Sequence, residues 1–221
     1  RQEGEKLSNR FSDQWYEEKQ EYGFTWLSQF QGRPTAKEGS FFKVANLDIV
    51  SEIPEDCQMA RGWDFGASLQ GDYTVGVKLA RDKAGVFYVV DVVRGKWLPD
   101  ERNKLMRQTA ALDGRDCAIR IPQDPGAAGV DMKQTMIRML AGYTVRAERP
   151  TGKKIVRADE LASQVNGGNV KLLNAPWNRA FIEEFRTFDK GVNDDQVDAA
   201  VDAFTELALR GGRIRVSSFR G

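Results

Sequence analysis

Residues 59–93 read MARGWDFGASLQGDYTVGVKLARDKAGVFYVVDVV, and three extended segments are legible in them. Met59–Phe65 is the first. In the second, Tyr73, Val75, Val77 and Leu79 alternate with small or polar residues, the period of a half-buried strand. The third, Val86–Val93, is a nearly continuous apolar run interrupted by Asp91, as expected at the centre of a sheet. Between the last two, Arg81-Asp82-Lys83-Ala84-Gly85 has hairpin-turn chemistry. The short links predict an antiparallel meander.

Downstream the pattern changes. Helices are expected at Pro99–Leu112, Met132–Ala141, Val156–Val165, Trp177–Phe185 and Asp194–Arg210, with short strands at Cys117–Pro122, Tyr143–Ala147 and Val170–Leu173. A meander followed by helix–strand alternation predicts an α/β fold with a mixed sheet and helices on both faces. Upstream, residues 1–30 are polar and helical in character. Phe11, Trp15, Tyr22 and Trp26 form an aromatic stripe of the kind that packs on a neighbouring domain. Gly32 and Pro34 break that pattern, and Gly39 to Lys43 reads as extended. The expected organisation is an N-terminal extension over 1–45, a main domain over 46–210 and a basic, flexible tail over 211–221.

The chain has 221 residues, enough for one domain with an appendage and a core that needs no disulfide or metal staple. With 33 Lys plus Arg against 32 Asp plus Glu, the net charge is +1. That balance argues against a free-standing high-affinity nucleic-acid binder. There is no histidine, which excludes Ser-His-Asp and Cys-His catalysis and His-ligated zinc within the chain. Cys57 and Cys117 are too far apart in sequence for a zinc-site pattern and read as reduced thiols. No apolar run is long enough to span a bilayer, and no signal peptide is visible. The chain starts without methionine, inside a charged helical pattern, and reads as a fragment of something longer.

Chemistry must then rest on carboxylates, lysines or hydroxyls. Three places carry acids: Asp64 in Gly62-Trp63-Asp64-Phe65-Gly66, Asp124 in Pro122-Gln123-Asp124-Pro125-Gly126, and Asp194, Asp195 and Asp198 at the start of the last helix. A carboxylate flanked by Trp and Phe at a strand end needs a partner, and a divalent cation with oxygen ligands suits it. Each acid also has an ordinary explanation. Asp64 and Asp124 fit turns. Asn193 can cap the last helix with Gln196 as its capping-box partner, and Asp194 and Asp195 favour the helix dipole. On a helical wheel Asp195, Asp198 and Asp202 share one face, with Val197, Val201, Phe204 and Ala208 opposite; a solvated acidic face has the same pattern. Lys153, Lys154, Arg157 and the arginine-rich tail are candidate phosphate contacts, with solubility as the alternative.

The order of these acids, with the meander in front, resembles the RNase H-like superfamily. The chain resembles more closely the C-terminal nuclease domain of the large terminase subunit of tailed bacteriophages. Gly62–Gly66 with Gly71-Asp72-Tyr73-Thr74 is similar to that family's first strand and hairpin, and Pro122–Gly126 to its second acidic motif. Lys154, Arg157 and Ala158 with Val170–Leu173 resemble the segment before its last strand, and Trp177-Asn178 with Asp194–Ala199 its closing motif. At Asn193 many relatives carry histidine. Trp26, Gln29, Gln31, Pro34 and Phe41-Phe42 resemble the exit from the family's ATPase domain; no GxxxxGK[ST] is present here.

The resemblance implies a metal-dependent endonuclease that cuts concatemeric double-stranded DNA during viral genome packaging. Two Mg²⁺ or Mn²⁺ ions would be held by Asp64, Asp124 and Asp195, with Asp198 or Asp194 assisting and Asp72 in support. The implied partners are an ATPase domain of the same polypeptide, a small terminase subunit and a portal, with no membrane, in the host cell cytoplasm. Two other readings keep the fold: a junction resolvase or transposase-type nuclease, and a catalytically silent docking module.

Overall fold

The computed structural model describes residues 41–66, 71–123, 126–148, 154–188, 191 and 193–211. The expected N-terminal helix, most of the basic tail, Asp124 and Lys153 lie outside the described residues. Residues from Phe41 onward belong to one compact unit. Seven strands form one sheet: β1 (Asp48–Val50), β2 (Gln58–Asp64), β3 (Thr74–Arg81), β4 (Phe87–Gly95), β5 (Ala118–Pro122), β6 (Val145–Glu148) and β7 (Val170–Leu173). Their order across the sheet is β1-β7-β4-β3-β2-β5-β6. The β2–β3 and β3–β4 pairs are antiparallel and the other pairs are parallel, so the sheet is mixed as the sequence predicts. The helices are α1 (Pro99–Asp113), α2 (Ala127–Met139), α3 (Lys154–Asn166), α4 (Asn178–Thr187) and α5 (Asp195–Gly211).

The hairpin between β3 and β4 closes where its sequence places it. Asp82 Oδ1 accepts the Val86 N–H at 2.8 Å, and Gly85 takes φ +89°, a conformation glycine adopts without strain. Three details differ from expectation. β1 is additional: only three residues long, it pairs in parallel with β7. α2 starts at Ala127, five residues before the expected Met132. Val90 is an extra residue in β4, since the register passes from Lys78↔Asp91 to Leu79↔Val89.

The sheet separates two cores. On one face Ala60, Val75, Val77, Leu79 and Ala118 pack under α3, α4 and α5. Phe42 and Val44, which the sequence reading assigned to the extension, are buried in this core. On the other face Trp63, Ile119 and Ile121 pack with Met106 and Ala110 of α1 and Met136 of α2. The period of two along β2 therefore decides the environment of each side chain. Ala60, Gly62 and Asp64 point toward α5, and Arg61 and Trp63 toward α1.

That second face holds a buried charge network. Arg61 is 1% exposed. Its guanidinium donates to Asp113 at 2.5 and 3.0 Å, to Asp91 at 2.7 Å and to the Gly76 carbonyl at 3.0 Å. Lys78 reaches the same Asp113 at 3.1 Å. Burial pushes the Asp113 carboxyl up, but the Arg61 hydrogen bonds and the two cations outweigh it and hold the group below its ordinary range. The network ties the end of α1 to β2, β3 and β4.

Candidate active site

α5 lies across β2 and β3 at van der Waals contact, and glycine makes this possible. A Cβ built on Gly62 would stand 2.1 Å from the Ala199 carbonyl oxygen and 2.5 Å from the Ala203 nitrogen. Both alanines are fully buried. The helix backbone therefore rests directly on the strand. Two residues along, on the same face of β2, Asp64 ends the strand beside the first turns of α5. The helical repeat brings Asp195, Asp198 and Asp202 onto the stripe that contains Ala199 and Ala203. The wheel reading of a solvated acidic face is corrected here: Asp195 is 4% exposed, and the acidic face is turned onto the sheet. Ala208, expected on the buried face, is exposed.

The start of α5 is held differently from the expected capping box. The helix begins at Asp195, and Asn193 lies outside it. Gln196 does not reach back to its own helix start. Its backbone N–H donates to Glu184 Oε1 at 2.5 Å, and its side-chain Nε2 donates to Glu184 Oε2 at 2.5 Å. Glu184 comes from α4 and is buried. A carboxylate from another element thus caps α5, satisfying an orphan N–H and countering the positive helix end. The sequence reading missed Glu184. Its signal was an acid three residues after Phe181 and directly before Phe185, in the buried stripe of α4, where a charge needs donors.

The acids raise one another's proton affinity. Burial, then the charges of Asp198 and Asp195, push the Asp64 carboxyl up to about 8, although Lys154 opposes the shift. Burial and Glu184 push Asp195 up to about 6, with smaller contributions from Asp72 and Asp194; a backbone N–H from Tyr73 opposes them. Asp195 Oδ2 is buried with no hydrogen-bond partner among the described residues. Burial also raises Asp198 despite Lys154, and raises Asp202 to about 6 despite Arg120 and Arg157. Carboxylates brought together by backbone contact, with their charge only partly met, are the electrostatics of a cation site.

One cation is already present. The Lys154 ammonium, at the start of α3, lies between Asp194 and Asp198, 2.6 Å from the latter. Burial lowers its proton affinity, but the bonds to the two aspartates outweigh burial and leave it raised. Of the candidate phosphate contacts, Lys154 is thus bound to carboxylates. Arg157 stands within electrostatic reach of Asp198 and Asp202, and its Nε is buried without a hydrogen-bond partner among the described residues. Asp72 is exposed and acts on Asp195 through its charge. The structure therefore brings together Asp64, Asp195, Asp198, Asp194 and Asp72 with Lys154 and Arg157. Among the described residues no three acidic or cysteine side chains stand close enough together to hold a metal ion. The donors are nevertheless all hard oxygens, and Asp195 keeps an unpartnered buried oxygen, which suits Mg²⁺ or Mn²⁺.

The terminase RNaseH-like domain family model matches residues 61–207. No curated protein matches the chain. Among solved structures, the large terminase nuclease from thermophilic phage G20c with bound magnesium superposes with a TM-score of 0.57 at 16% identity, covering 78% of this chain and 99% of that one. The same nuclease with bound cobalt gives a TM-score of 0.55 at 15% identity, over 78% and 99%. The Thermus phage P74-26 large terminase nuclease domain gives 0.55 at 15% identity, over 76% and 95%. The fold observed is RNase H-like, as the sequence predicts.

Proposed function

The chain belongs to the terminase RNase H-like domain family, and from that premise we propose that it is a metal-dependent endonuclease that cuts double-stranded DNA during viral genome packaging. The observation that carries this reading is the convergence of Asp64 from β2 with Asp195 and Asp198 from α5, their carboxyls raised by mutual charge and burial. One solved nuclease of the same fold, from phage G20c, is known with bound magnesium and with bound cobalt. Asp64, Asp124 and Asp195 would hold two Mg²⁺ or Mn²⁺ ions, with Asp198, Asp194 and Asp72 assisting. Held there, the ions would supply activation of a water and stabilisation of the leaving 3′-oxygen of the phosphodiester.

The chain's own groups prepare that chemistry. Gly62 sets the separation of α5 from β2, and with it the separation of Asp64 from Asp195. The Tyr73 N–H orients the Asp195 carboxylate, and Glu184 fixes the helix turn that carries it. Lys154 partly neutralises Asp194 and Asp198, so the acids assemble before any ion arrives. In the full assembly we assign an ATPase domain of the same polypeptide, a small terminase subunit and a portal as partners, in the host cytoplasm. No helix among the described residues is long and apolar enough to cross a membrane.

Plasmid cleavage by the purified chain is the test. Relaxation and then degradation are expected with Mn²⁺ or Mg²⁺, and none with chelator. Asp64→Asn, Asp124→Asn and Asp195→Asn should each lose activity by orders of magnitude. A wild-type chain that binds metal and DNA but never cuts would return the reading to a docking module. Full cleavage by one of the variants would remove that residue from the ligand set.

A further inference from the structure

Beside the acids, the end of the β3–β4 hairpin carries two cations on one aromatic ring. The Arg94 guanidinium carbon lies 3.7 Å from the centroid of Tyr73, and the Lys96 ammonium 4.8 Å from it. Two positive groups against one ring repel each other, and the ring's quadrupole offsets only part of that. Their supply of counter-charge is thin. Arg94 meets Glu184 at 3.8 Å, near the limit of an ion pair, while both Glu184 oxygens already accept hydrogen bonds from Gln196. Arg94 Nε is buried with no hydrogen-bond partner among the described residues. No carboxylate among the described residues pairs with Lys96. The ledge is also fixed in place. Trp97 packs over Gly95 so closely that a Cβ there would meet the indole at 2.4 Å, which holds the backbone on either side of Lys96.

Position supplies the rest. The register runs Asp64↔Val75 and Val75↔Arg94, so Arg94 stands two strands from Asp64 on the same face of the sheet. Two strand spacings are roughly 10 Å. A few nucleotides of DNA backbone cover that distance. We propose that Tyr73, Arg94 and Lys96 form a site for a backbone phosphate of the DNA strand, a few nucleotides from the bond that is cut. The site rests on the nuclease reading for its place in the reaction, and its ligand is a phosphodiester whatever the base sequence. A polyanion approaching a cluster of aspartates needs such a foothold, because the acids repel it.

The test is duplex-DNA binding by fluorescence anisotropy, in chelator so that nothing is cut, over a series of salt concentrations. Lys96→Gln and Arg94→Gln should each reduce the salt slope by about 0.9 and weaken binding about three- to tenfold near 0.1 M salt, equally for unrelated sequences. Lys83→Gln removes the same charge from the far end of the hairpin, where the side chain is 82% exposed, and should change neither quantity. Arg94 also touches the buried Glu184, so Lys96→Gln, melting as the wild type does, is the deciding variant. If Lys96→Gln behaves like Lys83→Gln, or if wild type binds no duplex at low salt, the phosphate site is wrong. If wild type binds DNA through Lys96 yet shows no metal-dependent cleavage, the nuclease reading fails and the phosphate site stands.

Discussion

Asp64 is placed where its charge is hardest to carry. Burial and two neighbouring aspartates hold its carboxyl at about 8. A carboxyl raised in the folded state keeps a proton that the unfolded chain has already released. Metal-free stability should therefore fall as pH rises from the ordinary value near 3.8 toward 8, and level off above it. Asp195 and Asp202, each at about 6, steepen the lower part of that fall. In chelator, Asp64→Asn should flatten the part of the profile between 6 and 8 and melt above wild type at alkaline pH. A melting series on both proteins measures this. An Asp64→Asn variant that melts below wild type across the range would mark Asp64 as a hydrogen-bonded turn residue instead. Asp64 stands out in the sequence because it lies between Trp and Phe at a strand end, although an ordinary turn residue fits the same place. Its raised pKa was not legible, because burial in the folded chain and charges more than a hundred residues away produce it.

α5 is the element on which the site depends, and two contacts set its position. One is the glycine contact at Gly62. Gly62→Ala forces a methyl group into the backbone of α5. Overpacking of this kind costs about 1–3 kcal/mol, or roughly 2–4 °C of melting temperature per kcal/mol in a chain this long. Cleavage should fall much further than stability, since the helix that carries Asp195 and Asp198 must lift. Unchanged cleavage by Gly62→Ala would show that the strand–helix separation is not critical. The second contact is the cap from Glu184. Glu184→Ala strips the partner from a buried N–H and a buried amide, at about 1–3 kcal/mol, and should weaken Mn²⁺ binding, which calorimetry would read. Glu184→Gln keeps an acceptor and should recover part of both. The helix itself was legible from its apolar repeat. Its cap was not: Asn193 and Gln196 have the spacing of a local capping box, but in the fold the Gln196 backbone N–H and side-chain amide both donate to the buried Glu184 carboxylate of α4.

At the scale of the whole molecule, the meander and the helix–strand alternation were legible because β3 carries a period of two, β4 is a nearly continuous apolar run and the long helices carry a period near 3.6. β1 was not, since three residues carry no period and its partner β7 is about 120 residues away in sequence. The placement of charge follows the fold rather than the net value of +1. Asp64, Asp194, Asp195 and Asp198 gather at one end of β2 and α5, while Arg61 and Lys78 are met by Asp113 and Asp91 on the opposite face of the sheet. A molecule whose acids are assembled in advance should be tightened by the ion that suits them. Excess Mn²⁺ should raise the melting temperature of wild type, because the ion binds only the folded site. Asp64→Asn should lose most of that rise. No shift in either protein would mean that the acids do not act as one site.

The contact at Gly62 has a meaning for engineering. Most enzyme sites are gauged by side chains, and a change of rotamer or of core volume resets the gauge. Here the spacing between the two acid-bearing elements is the thickness of two backbones, which no repacking of the surrounding core alters. A protein engineer seeking to move this constellation to another scaffold needs few parts: one strand with glycine two places before its terminal aspartate, one helix with alanines four apart, and a carboxylate to hold the helix start. Such a gauge is written mainly in what is absent, a Cβ at one position.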